Sequence, residues 1–157
     1  MRSVTFAPYR WTEVTGDPDR LVPILGAPQG RVLHVVRARV YIVDQHDSVR
    51  LALADRLSRA PGIKVLGHSG SADEALSDIR RGQPDVVLIE VKRSDGLGLE
   101  ILRQAAEIPN PPKLLVLTSY PSEWEAQAAM RAGAHSYLLK DLDPEELIRQ
   151  IAEFAAD

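Results

Sequence analysis

Five short apolar runs recur along this sequence from Arg39 onward: VYIV (40–43), IKVLG (63–67), DVVLI (85–89), KLLVL (113–117) and SYLL (136–139). The third reads most plainly. In PDVVLIE, from Pro84 to Glu90, apolar residues follow one another without alternation and end directly in a carboxylate. A half-exposed strand would alternate polar and apolar residues, so a continuous Val/Ile/Leu run marks a strand covered on both faces. Between the runs lie segments with helical spacing, at 48–60, 72–81, 97–107, 123–132 and 144–156. Five such strands alternating with five helices predict an α/β fold: a doubly wound, five-stranded parallel sheet with helices on both faces.

The helix boundaries are marked. SADE (71–74) and SEWE (122–125) place Ser at an N-cap with Glu three residues on, the capping-box pattern, and DPEE (143–146) adds Pro at the first helical position. Gly82 and Gly133 stand where left-handed stop residues are expected. Residues 1–37 differ: Pro8, Pro18, Pro23 and Pro28, with Gly16, Gly26 and Gly30, predict an irregular or partly disordered extension in which only RVLHVV (31–36) suits an extended segment. The regular domain is expected at 38–157, and with helix 144–156 reaching the end of the sequence no further domain is expected within it. At 157 residues one well-buried domain is expected.

Composition removes several function classes. With no cysteine, thiolate metal sites, disulfides and cysteine nucleophiles are excluded, and a net charge of -3 argues against direct nucleic-acid binding. No apolar run reaches the ~18 residues of a membrane span. The first twenty residues lack the apolar core of a signal peptide, so a cytoplasmic location is expected.

Ligands of open parallel α/β sheets bind beyond the carboxyl ends of the strands, so the residues closing each strand carry the functional reading. The first run ends in Asp44, followed by Gln45, His46 and Asp47; the third ends in Glu90, the fourth in Thr118 and Ser119, the fifth in Lys140. If the strand order is 2-1-3-4-5, two carboxylates, a hydroxyl and a lysine converge on one edge. The four histidines (34, 46, 68 and 135) show no metal-ligand spacing and take no assigned role.

VYIVDQHDSVR, GIKVLGHSGSADEAL, PDVVLIEVKRSDGLGLEIL, LLVLTSY and AMRAGAHSYLLKD together resemble the receiver domain of two-component response regulators, over residues 38–157. The YLLKD and AMRAGA stretches are most similar to receivers that precede a helix-turn-helix domain. The resemblance implies the flavodoxin-like strand order 2-1-3-4-5. It also implies a switch set of Thr118, Tyr137 and Lys140, and an acidic pocket at Asp44 and Gln45. Glu90 falls at the phosphoacceptor position, and the family's metal position falls on Asp44, Glu90 and the backbone carbonyl of Lys92. Four departures stand out: Gln45 replaces the second acid, Glu90 replaces the phosphoacceptor Asp, Leu97 replaces the aspartate before the loop glycine, and Asp141 replaces the Pro that often follows the lysine.

A longer side chain moves the carboxylate outward by about 1.5 Å, one carbon–carbon bond, and phosphoryl transfer depends on positioning. Mg²⁺ demands hard ligands in near-octahedral geometry, so its binding is expected to be weak, and no other cofactor is implied. The expected function is an atypical, non-enzymatic receiver that escapes normal phosphorylation and acts through protein–protein contacts. Its partners would be a sensor histidine kinase or another regulatory protein, or a second copy joined through helices 123–132 and 144–156. Two rivals stand beside it: a working phosphoreceiver feeding transcription, and a small phosphatase-like hydrolase with Asp44 as nucleophile. Glu90 itself has two readings, a fixed charge paired with Lys140 or drift in a scaffold. Asp47 is either an inward-turning replacement acid or an N-cap; Asp95 is expected in solvent; Trp124 is either a partner contact or a partly buried packing residue.

Overall fold

The computed structural model describes residues 37–157 in full and, ahead of them, the backbone of three short strands. These are β1 (Ser3–Phe6), β2 (Tyr9–Glu13) and β3 (Leu21–Pro23), paired antiparallel in the order β1-β2-β3. The extension expected to be irregular carries strands of three to five residues; β1 and β2 fall between the Pro and Gly positions, and β3 ends on Pro23. The run 31–36 lies outside the described residues.

From Ala38 the chain alternates strand and helix: β4 (Ala38–Val43), α1 (Asp47–Ser58), β5 (Ile63–Ser69), α2 (Ala72–Gly82), β6 (Val86–Ile89), α3 (Gly98–Ala106), β7 (Lys113–Thr118), α4 (Glu123–Ala132), β8 (Ser136–Leu139) and α5 (Pro144–Ala156). The five strands are parallel and ordered β5-β4-β6-β7-β8, which is the 2-1-3-4-5 order expected for a flavodoxin-like sheet. All four residues of β6 are buried, and the two core clusters show why its run has no polar alternation. Val87 and Ile89 face one core with Ile79, Ile101, Leu102 and Ala129, from α2, α3 and α4. Val86 and Leu88 face the other with Leu57, Leu147 and Ile151, from α1 and α5. Both faces are covered, so successive side chains are apolar alike.

Register places the strand ends level. Val43 pairs with Ile89, and Ile89 with Val116; Thr118 pairs with Leu139. Asp44, Glu90 and Lys140 therefore follow immediately beyond one edge. Two glycines are required by the backbone, Gly98 in the loop beyond this edge and Gly133 at the opposite end of the sheet, between α4 and β8. A Cβ on Gly98 would stand 2.0 Å from the Val91 carbonyl oxygen, and Gly133 has φ +116°, which a side chain would strain. The left-handed stop expected at Gly82 falls one residue later, on Gln83 with φ 46°. The Arg39 guanidinium donates to the freed Gly82 carbonyl at 3.0 Å and to that of Gln83 at 3.3 Å, which helps hold a non-glycine residue there.

The three N-caps follow the sequence with one modification. Asp143 accepts from the amides of Glu145 and Glu146 at 2.9 and 3.3 Å, with Pro144 in the first turn. Ser71 and Ser122 accept from Glu74 N and Glu125 N. Neither glutamate reaches back to the serine amide, however. Ser71 N donates to Ser69 Oγ, which donates to Glu74 Oε2 at 2.6 Å. Ser122 N donates at 3.2 Å to the Tyr137 hydroxyl, which donates to Glu125 Oε1 at 2.7 Å. Each box is widened by one inserted hydroxyl, supplied by a neighbouring strand.

Candidate functional site

Lys140 stands at the centre of the strand-end cluster. Its Nζ lies 2.6 Å from Asp44 Oδ2 and 3.3 Å from Glu90 Oε2. The three side chains are 15%, 3% and 4% exposed. Two like-charged carboxylates this deep require a cation between them. The other oxygen of each acid is also engaged. Asp44 Oδ1 accepts from His46 N at 2.9 Å and lies 3.1 Å from His46 Nδ1. Glu90 Oε1 accepts from Lys92 N at 2.8 Å. The additional methylene of Glu lets one oxygen fold back onto its own loop while the other faces Lys140. Burial acts to raise the Asp44 carboxyl, but the Lys140 hydrogen bond, the His46 amide and the Lys140 charge together hold it below its ordinary value of 3.8.

Thr118 is fully buried, and its Oγ1 accepts from Tyr120 N at 3.3 Å. The backbone of Lys140 donates to Thr118 O at 2.8 Å, and Lys92 Nζ donates to Tyr120 O at 2.7 Å. The contacts close a circuit: Glu90 to Lys92, Lys92 to Tyr120, Tyr120 to Thr118, Thr118 to Lys140, and Lys140 back to Glu90. Tyr137 packs against the core of α2, α3 and α4. Burial, then the Glu125 acceptor, push its hydroxyl up to about 12.

The side chains at the family's metal position already have hydrogen-bond or ion-pair partners. The side-chain amide of Gln45 donates to Ser94 Oγ at 3.0 Å, and its carbonyl accepts from Ser94 N at 2.7 Å. Asp44 and Glu90 are held as described, Glu90 Oε1 by the Lys92 N–H. Among the described residues no group of three or more His, Cys, Asp or Glu is placed to hold a metal ion. Mg²⁺ takes hard oxygen ligands in near-octahedral geometry, and here both carboxylates share the Lys140 ammonium.

Asp47 does not turn inward; it is the first residue of α1 and pairs at the surface with Arg50 at 2.7 Å. Nor is it the N-cap, which is His46. Asp95 binds Arg93 and the amide of Leu97. Trp124 and Tyr120 are 70% and 72% exposed, so Trp124 is not a packing residue of the described domain. Composition and strand-end reading passed over His46, Arg50, Ser94 and Arg93. Arg50 donates to Asp44 O at 2.7 Å. His46 stands two residues after Asp44, the spacing at which an Asp side chain accepts from the following backbone. Among the described residues, a cavity of about 570 Å³ lined by Arg80, Gln83, Gln104, Glu107, Ile108 and Pro109 lies where α2 and α3 end, away from this cluster.

A family model described as the response regulator receiver domain matches residues 40–152. The DNA-binding transcriptional activator DevR/DosR of Mycobacterium tuberculosis is 36% identical over 118 residues, covering 75% of this chain and 54% of that protein. The nitrate/nitrite response regulator protein NarL of Escherichia coli K12 is 28% identical over 119 residues, covering 76% of this chain and 55% of that protein. The chain thus spans about half the length of the curated relatives it matches. Among solved structures, a LuxR-family two-component response regulator from Aurantimonas sp. SI85-9A1 superposes with TM-score 0.70 at 30% identity, over 76% of this chain and 85% of that one.

Proposed function

Because the chain belongs to the response regulator receiver family, as the match over residues 40–152 shows, we propose that it is a receiver of two-component signalling whose switch charge is supplied by Glu90 instead of a phosphoryl group. One observation carries the reading: Lys140 Nζ is already held between Asp44 at 2.6 Å and Glu90 at 3.3 Å. In this reading the lysine that the family turns toward a phosphoryl group has a built-in anionic partner. Thr118 and the inward Tyr137 complete the arrangement on the same side.

The proposal includes the absence of normal phosphorylation. Glu90 has both oxygens engaged, and its carboxylate extends about 1.5 Å beyond the reach of an aspartate. It also includes independence from Mg²⁺, because no carboxylate in the site is free to ligate it. The output is then a protein–protein contact, made by α4, β8 and α5, with a second copy or another regulator; the exposed Trp124 belongs to that face. No catalytic role is assigned to the cluster.

Intact-mass measurement after treatment with acetyl phosphate and MgCl₂ tests this reading. Wild-type chain is expected to gain no phosphoryl mass, and the double variant Gln45→Asp with Glu90→Asp to gain it. Ready labelling of the wild type would instead establish a working phosphoreceiver of the kind that feeds transcription.

A further inference from the structure

We propose that the loop from Lys92 to Leu97 is a metal-independent clasp that fastens three neighbouring strand-end loops, with Arg93 as its central positioning residue. The inference rests on the reading that this receiver works without Mg²⁺.

Three side-chain ties leave this short loop in three directions. Ser94 is joined to Gln45, after β4, by two hydrogen bonds of 2.7 and 3.0 Å. Arg93 Nη2 donates at 2.7 Å to the carbonyl of Gly70, after β5. Lys92 Nζ donates at 2.7 Å to the carbonyl of Tyr120, after β7, and its ammonium lies 5.5 Å from the Tyr120 ring centre. A cation shared between strand-end loops would draw them together through its ligands. Here the Gln45–Ser94 pair joins the two loops that the family's metal position would join, after β4 and β6, and the ties to Gly70 and Tyr120 extend the fastening to the loops after β5 and β7.

Arg93 identifies the arrangement as more than incidental surface contact. Its side chain is only 2% exposed. Asp95 receives Nε and Nη2, at 3.0 and 2.8 Å, while Nη1 is buried without a hydrogen-bond partner. A buried guanidinium nitrogen lacking an acceptor opposes folding, so packing alone would favour an apolar side chain at this position. What the arginine supplies that an apolar residue could not is the tie to Gly70. The neighbourhood is tight: a Cβ on Gly70 would meet Arg50 Nη1 at 2.8 Å and Gln45 Cα at 3.3 Å. Gly70 is therefore a point where the tie from Arg93, the Arg50 side chain and the backbone after β4 meet.

Hydrogen exchange read by mass spectrometry on the full chain, with and without millimolar MgCl₂, tests the clasp. Gln45→Ala is expected to speed exchange about tenfold in 44–47 and 92–97, the opening expected when a tie of ordinary hydrogen-bond strength is lost. Arg93→Met is expected to do the same in 68–71 and 92–97 while leaving the thermal midpoint unchanged or higher, since the unpartnered nitrogen is removed. Wild-type exchange should not respond to MgCl₂. Unchanged exchange of the neighbouring loops in both variants would overturn the clasp. So would faster exchange throughout the domain with a lower midpoint, which would make Arg93 an ordinary packing residue. If Arg93→Met fails to fold, Gln45→Ala decides the matter by itself. Slower wild-type exchange on adding MgCl₂ would overturn the metal-free reading beneath, an outcome separate from the variants.

Discussion

The ends of β4 and β6 and the ends of β7 and β8 lie on one edge of the same sheet, yet they differ in how far they follow the family. At β7 and β8 the residues to which the resemblance assigns the switch, Thr118, Tyr137 and Lys140, are retained. At β4 and β6 the acid that would ligate a metal is Gln45, and the acceptor is Glu90. The contacts follow that division. Gln45 is engaged by Ser94, and Glu90 by its own loop at Lys92, while the side-chain hydrogen bonds of Thr118 and Tyr137 go to Tyr120, Ser122 and Glu125 on their own side. Two cations cross from one half to the other: Lys140 at the buried carboxylates, and Lys92 nearer the surface, at the Tyr120 carbonyl. A receiver can therefore have its charge half rebuilt while its reading half keeps its residues, provided the buried bridging cation stays.

Removing that bridge should have the largest effect. Lys140→Met leaves two buried carboxylates facing each other, and breaking a buried pair this way costs about 3–5 kcal/mol. The thermal midpoint should fall by roughly 10 °C or more. The acid response should change as well. Asp44 is held below 3.8 in the folded chain, so the unfolded chain takes up the proton first as pH falls. Its stabilisation is therefore complete above that value and lost below it. Urea unfolding between neutral and acid pH should show this loss in the wild type and not in the variant.

Within the reading half, Tyr137→Phe should cost about 1–3 kcal/mol, because Glu125 stays buried without its donor. The raised hydroxyl, about 12 against an ordinary 10, means the unfolded chain loses its proton first. Its stabilisation is full below 10 and is lost as pH rises toward 12. Alkaline unfolding curves of the two proteins should converge across that window. Within the charge half, Glu90→Gln keeps the bond from Lys92 and removes one charge from Lys140. It should cost about 1 kcal/mol in urea unfolding, and weaken self-association measured by sedimentation velocity. Thr118→Val should have the smallest effect, up to about 1 kcal/mol, since the shape is kept and only the acceptor for Tyr120 N is lost. If Thr118→Val exceeds Lys140→Met, the division between halves is misdrawn.

The sheet was legible because burial on both faces writes itself into the chain as unbroken apolar runs, as in β6. The strand-end residues were legible because the runs stop at Asp44, Glu90, Thr118 and Lys140. Side-chain ties between loops were not, because pairing such as Ser94 with Gln45 depends on where two irregular segments meet, and no periodicity encodes that. Arg93 carries no sequence signal of burial, and its side chain is buried in the fold. The stop at Gln83 was missed for a related reason. Its left-handed backbone is supported by Arg39, which is 44 residues away.

The widened capping box at α4 has a mechanical consequence. Because Ser122 N reaches Glu125 only through the Tyr137 hydroxyl, this aromatic ring cannot swing away as an isolated rotamer. Its departure would leave an amide at the start of α4 and a buried carboxylate in the first turn without partners. The ring and the first turn of α4 therefore behave as a bolt and its socket: withdrawing one lets the other fray. Any partner that stabilises an intact start of α4 also holds Tyr137 inward, and any that draws the ring out shortens the helix.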